Sequence, residues 1–132
     1  MVKQQALNQY QQVNVQASVV AASPHRLVQM LMDGALQRIA EARGALSRSD
    51  FAIKGEKIGK AIAIVGGLRE SLNTDLENRL VEDLDALYDY MQRRLLQANV
   101  SNNDEMLAEV SQLIRTVKEG WDGISQDPAA AG

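Results

Sequence analysis

Leu87-Tyr88-Asp89-Tyr90-Met91-Gln92-Arg93-Arg94-Leu95-Leu96-Gln97-Ala98-Asn99 places apolar side chains three and four residues apart, with polar ones between them. That spacing follows the helical repeat of about 3.6 residues and predicts an amphipathic helix. Leu80 and Leu84 carry the stripe backwards, so Leu80, Leu84, Leu87, Tyr88, Met91 and Leu95 are expected to face a core. Three more segments repeat the pattern. Leu27, Val28, Leu31, Ala35, Ile39, Ala42 and Leu46 form the first stripe, and Phe51, Ile58, Ile62, Val65, Leu68 and Leu72 the second. Met106, Val110, Leu113, Val117, Trp121 and Ile124 form the last and cleanest.

Local signals separate these helices. Ser23-Pro24 reads as a start, because serine accepts from free backbone N–H groups and proline at the first position loses no bond. Ser47 to Asp50 form a turn ending in a cap, and Asn99 to Asn103 form another in which Asn102 or Asn103 caps. Asn73 to Glu77 make a polar connection. No strand pattern competes, so the fold class predicted is all-α: an antiparallel up-down four-helix bundle over 23–126. Residues 1–22 lack a sustained 3.6 period and read as an N-terminal arm or short helix, and 127–132 as a disordered tail.

The 132 residues suggest one domain, with a core that is aliphatic because only one Phe and one Trp are present. With no cysteine, disulfides, thiolate metal sites and cysteine nucleophiles are excluded. The net charge of −3 is well mixed in sign, which argues against nucleic acid as a partner. No apolar run approaches the roughly 20 residues of a membrane span, so no membrane insertion and a cytoplasmic location are expected.

Catalytic chemistry is equally absent from the sequence. His25 is the only histidine and sits in a first helical turn, where it reads as a surface or capping residue. A di-iron bundle needs Glu-x-x-His on two helices, and Gly66-Gly67 lie inside a helix rather than opening one. Arg93-Arg94 serve either as helix-dipole partners or as a carboxylate clamp. No enzyme activity, metal or cofactor is expected.

Apolar residues off the core stripes point elsewhere. At 100° per residue, Met30 and Leu36, Ile53 and Ile64, and Leu96 fall away from the core, with Tyr90 on a flank. Such a set suggests a continuous apolar surface for a partner. Ala52, Gly55, Gly59, Ala63 and Gly66 add a stripe of small residues. Interior glycines cost about 1 kcal/mol each against alanine, so another backbone is expected to approach closely, either a bundle helix or a segment of another chain.

The chain resembles the flagellin export chaperone family, FliS, from about Tyr10 to Trp121. The resemblance rests on Tyr10-Gln11-Gln12, Ala22-Ser23-Pro24, Leu27, Met30-Leu31, Asp33-Gly34-Ala35 and Leu72-Asn73. It continues through Leu87-Tyr88-Asp89-Tyr90-Met91, Arg93-Arg94-Leu95, Ala98-Asn99, Asn103-Asp104 and Trp121. Ala21-Ala22, where a threonine is common, and Met32, where a tyrosine is common, depart from the pattern.

The resemblance implies a cytoplasmic chaperone that binds the disordered C-terminal segment of flagellin. It keeps that client from polymerising early and competent for flagellar type III secretion. The export-gate cytoplasmic domain and other late flagellar proteins are further partners it implies. Tyr10, Met30, Ile53, Ile64, Tyr90 and Leu96 are the residues expected to contact the client, with Met32 adding an adaptable side chain. The arm is expected to cover the groove until the client displaces it. The competing expectation is a self-associating bundle in which the off-core residues form a homodimer contact.

Overall fold

The computed structural model describes residues 23–72 and 79–124. Four helices hold nearly all of them: α1 (Pro24–Ser47), α2 (Phe51–Glu70), α3 (Arg79–Ser101) and α4 (Asp104–Asp122). Three starts are built as the sequence predicts. Ser23 Oγ accepts from the Arg26 N–H at 3.1 Å, with Pro24 beside it. Asp50 accepts from the Ile53 N–H at 3.2 Å, and Asn103 from the Met106 N–H at 3.1 Å. The α1–α2 and α3–α4 turns each contain one left-handed residue, Ser49 (φ 57°) and Asn102 (φ 52°). A short polar side chain tolerates that conformation better than a bulky one.

Packing runs around a ring, α1–α2, α2–α3, α3–α4 and α4–α1, which is the up-down arrangement. Both short turns therefore lie at one end of the bundle, hereafter the turn end. Its centre is aliphatic: Met32, Ile39, Ile58, Val65, Leu68, Met91, Leu95, Leu107, Val110 and Ile114 are buried. Alanines fill the narrow positions between them, with Ala35, Ala42, Ala45, Ala61 and Ala98 at 0% exposure. Among the described residues no helix is long and apolar enough to cross a membrane.

Several expectations need correction. Phe51 and Leu80, assigned to the core, are 52% and 62% exposed. Phe51 opens α2 directly after its Asp50 cap, where no preceding turn of the same helix helps to cover it. Ile124 is exposed too, beyond the end of α4. On α4 the expected Val110 is buried and Met106, Leu113, Val117 and Trp121 pack against the core, while Leu107, Ser111 and Ile114, outside the expected stripe, are buried more deeply. Met32 is a core residue rather than a surface one. Leu36 and Ile64, placed off the core by ideal geometry, are partly buried and pack against it. A helix wedged between two neighbours buries its flanks as well as its centre, which a single-stripe reading misses. Tyr10 and the assignments for 1–22, 73–77 and 127–132 lie outside the described residues.

Ile58→Ala is expected to destabilise the protein by about 2–5 kcal/mol in urea unfolding, because its site cannot collapse fully. Phe51→Ala, at a half-exposed position, is expected to cost less than about 1 kcal/mol in the same assay.

Candidate functional site

The small-residue stripe of α2 lies along α3. A Cβ added to Gly55 would stand 3.8 Å from Asn99 Oδ1, and one added to Gly66 would stand 3.2 Å from Gln92 Nε2. The Gln92 side chain also donates to the Ile62 carbonyl at 3.2 Å. These contacts fix the antiparallel register and put Leu96, between Gln92 and Asn99, alongside the stretch from Gly59 to Ile62. At Gly59 there is open space: nothing lies within 4 Å of an added Cβ. Ala52, Gly59 and Ala63 are exposed. We call this stretch of the α2–α3 seam, lined by small residues of α2 and by Leu96, which is 57% exposed, the furrow.

At the turn end the furrow meets two more apolar side chains, Phe51 and the 80% exposed Val100. Neither was expected at the surface from sequence. Val100 follows Leu96 by four residues and so shares its side of α3, a spacing that was available to find it. The far end of the furrow is polar. Arg69 reaches across from α2 to Asp85 at 2.9 Å, to Asp89 at 3.1 Å and to Gln92 at 3.2 Å. The Arg69 guanidinium holds the Asp85 carboxyl below its ordinary value.

The other expected contact residues are dispersed. Ile64 faces α1, with its Cδ1 3.5 Å from where a Cβ on Gly34 would stand. Ile53, eleven residues earlier, shares that flank, and Met30 lies on the same seam by helical position; both are half-buried. Tyr90 lies on the opposite seam, donating to Glu109 at 2.6 Å, while Arg94 grips the other Glu109 oxygen at 2.7 Å. Of the five described residues, only Leu96 belongs to the furrow. Arg93 pairs with Asp89 at 2.9 Å and Arg94 with Glu109, so both arginines are used within the bundle.

A second apolar hollow, of about 220 Å³, opens at the end away from the turns. Val28, Leu72, Leu80, Leu84, Val117 and Trp121 are among its lining. Trp121 anchors this end: its ring stacks on His25 at 5.1 Å and its Nε1 donates to the His25 carbonyl at 2.9 Å. His25 thus joins the start of α1 to the end of α4.

What the fold and these surfaces define is a helical module that presents apolar side chains outside its own core. Among the described residues, no group of three His, Cys, Asp or Glu side chains is arranged to hold a metal. The chain belongs to the family described as flagellar protein FliS, whose model matches residues 6–128. The flagellar secretion chaperone FliSB of Pseudomonas aeruginosa is 53% identical over 95% of this chain and 99% of its own. The flagellar secretion chaperones FliS of Salmonella typhimurium and Vibrio cholerae are 43% and 40% identical, over 88% and 90% of this chain and 87% and 88% of theirs. These are names of chaperones, not of enzymes.

The Tyr90–Glu109–Arg94 contact carries a pH prediction. The Arg94 and Tyr90 hydrogen bonds hold the Glu109 carboxyl below its ordinary value of 4.5. A lowered folded-state value adds stability above the unfolded value and loses it as pH falls through the folded one. Melting temperature is therefore expected to fall as pH drops below 4.5, and Glu109→Gln to make that fall shallower in a pH series.

Proposed function

We propose that this protein is a flagellar secretion chaperone that binds the disordered C-terminal segment of flagellin along the α2–α3 furrow. Binding there holds the client unpolymerised and ready for type III export. The observation that carries this reading is the exposed pair Leu96 and Val100 beside the open space at Gly59. An amphipathic client helix laid in the furrow would seat its apolar face on these side chains, a helix-in-groove mode. The glycines let its backbone come close, and the client supplies the neighbour that Gly59 lacks within the bundle.

Folding on binding costs the client roughly 2–5 kcal/mol of ordering, so a long contact is required. The furrow supplies length. From Phe51 to Gly66 it follows about four turns of α2, or about 22 Å. The export-gate cytoplasmic domain and other late flagellar proteins are proposed as further partners of the loaded chaperone. The client also takes over any cover that residues 1–22 give the apolar surface, so deletion of residues 2–18 is expected to raise client affinity.

Titration with a peptide of flagellin's C-terminal segment, followed by circular dichroism and calorimetry, tests the reading. Gain of helix with a negative heat-capacity change is expected. Leu96→Asp is expected to weaken binding by about tenfold or more, ~1.4 kcal/mol, with little change in melting temperature. Gly59→Leu fills the furrow and is expected to block binding while raising stability, since glycine is the poorer helix former by up to about 1 kcal/mol. Unchanged affinity in both variants refutes the furrow as the client site. A concentration-independent dimer whose formation either variant abolishes assigns the same surface to self-association.

A further inference from the structure

Lys54 stands on the core stripe of α2, one turn before Ile58, and is only 6% exposed. Its Nζ donates to the Asn99 carbonyl at 2.8 Å and to Asn102 Oδ1 at 2.5 Å. The same atom lies 5.7 Å from the centroid of the Phe51 ring, within cation–π range. Among the described residues, no carboxylate lies within ion-pair distance of it. A buried ammonium is costly unless its N–H groups are met, and here two oxygens, one ring face and the negative end of the α3 dipole meet it. A methionine would fill similar space without that cost, so packing alone gives no reason for a lysine.

What the lysine adds is position. Its contacts bracket the apolar side chains at the turn end: Phe51 lies against the ammonium, and Val100 sits between the two asparagines that accept from it. We infer that Lys54 is a positioning residue for partner binding. By tying the end of α3 and the Phe51 ring to one ammonium, it holds Phe51 and Val100 as an apolar extension of the α2–α3 furrow. This rests on the furrow being the client site.

The test uses the full chain and the flagellin C-terminal peptide. Lys54→Met keeps the volume and removes both hydrogen bonds. Asn102→Gly removes one acceptor at a position whose φ of 52° glycine adopts freely, so it reports even where Lys54→Met does not fold. Each is expected to weaken the peptide by about fivefold, with the melting curve little changed. In a Phe51→Ala/Val100→Ala background that effect is expected to shrink to within about twofold, because both side chains being positioned are gone. A purely structural lysine would instead act equally in both backgrounds. If Leu96→Asp weakens the peptide but neither Lys54→Met nor Asn102→Gly does, the positioning role is overturned and the furrow stands. If Leu96→Asp has no effect either, both fall.

Discussion

Close approach of the four helices is the constraint from which the surface follows. Ala35, Ala42 and Ala45 on α1, Ala61 on α2 and Ala98 on α3 are wholly buried. Alanines at such contacts bring helix axes toward the short end of the usual separation of about 8–10 Å. A thin core has few large sites, and Met32, Ile39, Ile58, Leu68, Met91, Leu95, Leu107 and Ile114 already occupy them. Phe51, Leu96 and Val100 are left outside as surplus apolar surface. Under the proposed function that surplus is what a client helix covers.

Polar side chains at the seams hold this slim bundle in register. Arg43 makes a two-pronged contact with Asp104 between α1 and α4, and Lys57 reaches Glu41 between α2 and α1. Arg69 crosses from α2 to α3, and Arg94 from α3 to α4. Half-exposed pairs of this kind contribute at most about 1 kcal/mol each, so they select the alignment more than they supply the stability. Fixed alignment matters here because the furrow exists only where Gly55, Gly59 and Gly66 run beside Gln92, Leu96 and Asn99.

Helix number, order and capping were legible in the sequence because caps and apolar spacing are local properties. Ser23, Asp50 and Asn103 act within four residues of themselves. The site was less legible, since it depends on which flank of a helix meets a neighbour. Ile64 and Leu36 share the off-stripe angle of an exposed residue, yet α1 and the remaining core cover them. Leu96, with a similar angle, faces the open side of the furrow and stays exposed. Lys54 left a trace that the apolar pattern alone passes over, a cation on the same stripe as Ile58, Ala61, Val65 and Leu68. Its partners come from the end of α3 and the α3–α4 turn, 45 and 48 residues later, and no local rule reaches that far.

The Lys54 contact differs from the seam ion pairs in one chemical respect. Its acceptors are a backbone carbonyl and a side-chain amide, and neither gains a proton in moderate acid. Acid strong enough to protonate Asp85, whose carboxyl Arg69 holds below its ordinary value, weakens that seam pair but leaves this stitch in place. Under acid stress the α2–α3 seam is thus unevenly fastened: the stitch beside Phe51 keeps both of its acceptors, while at Arg69 the grip on Asp85 weakens and only the amide of Gln92 is indifferent to the change.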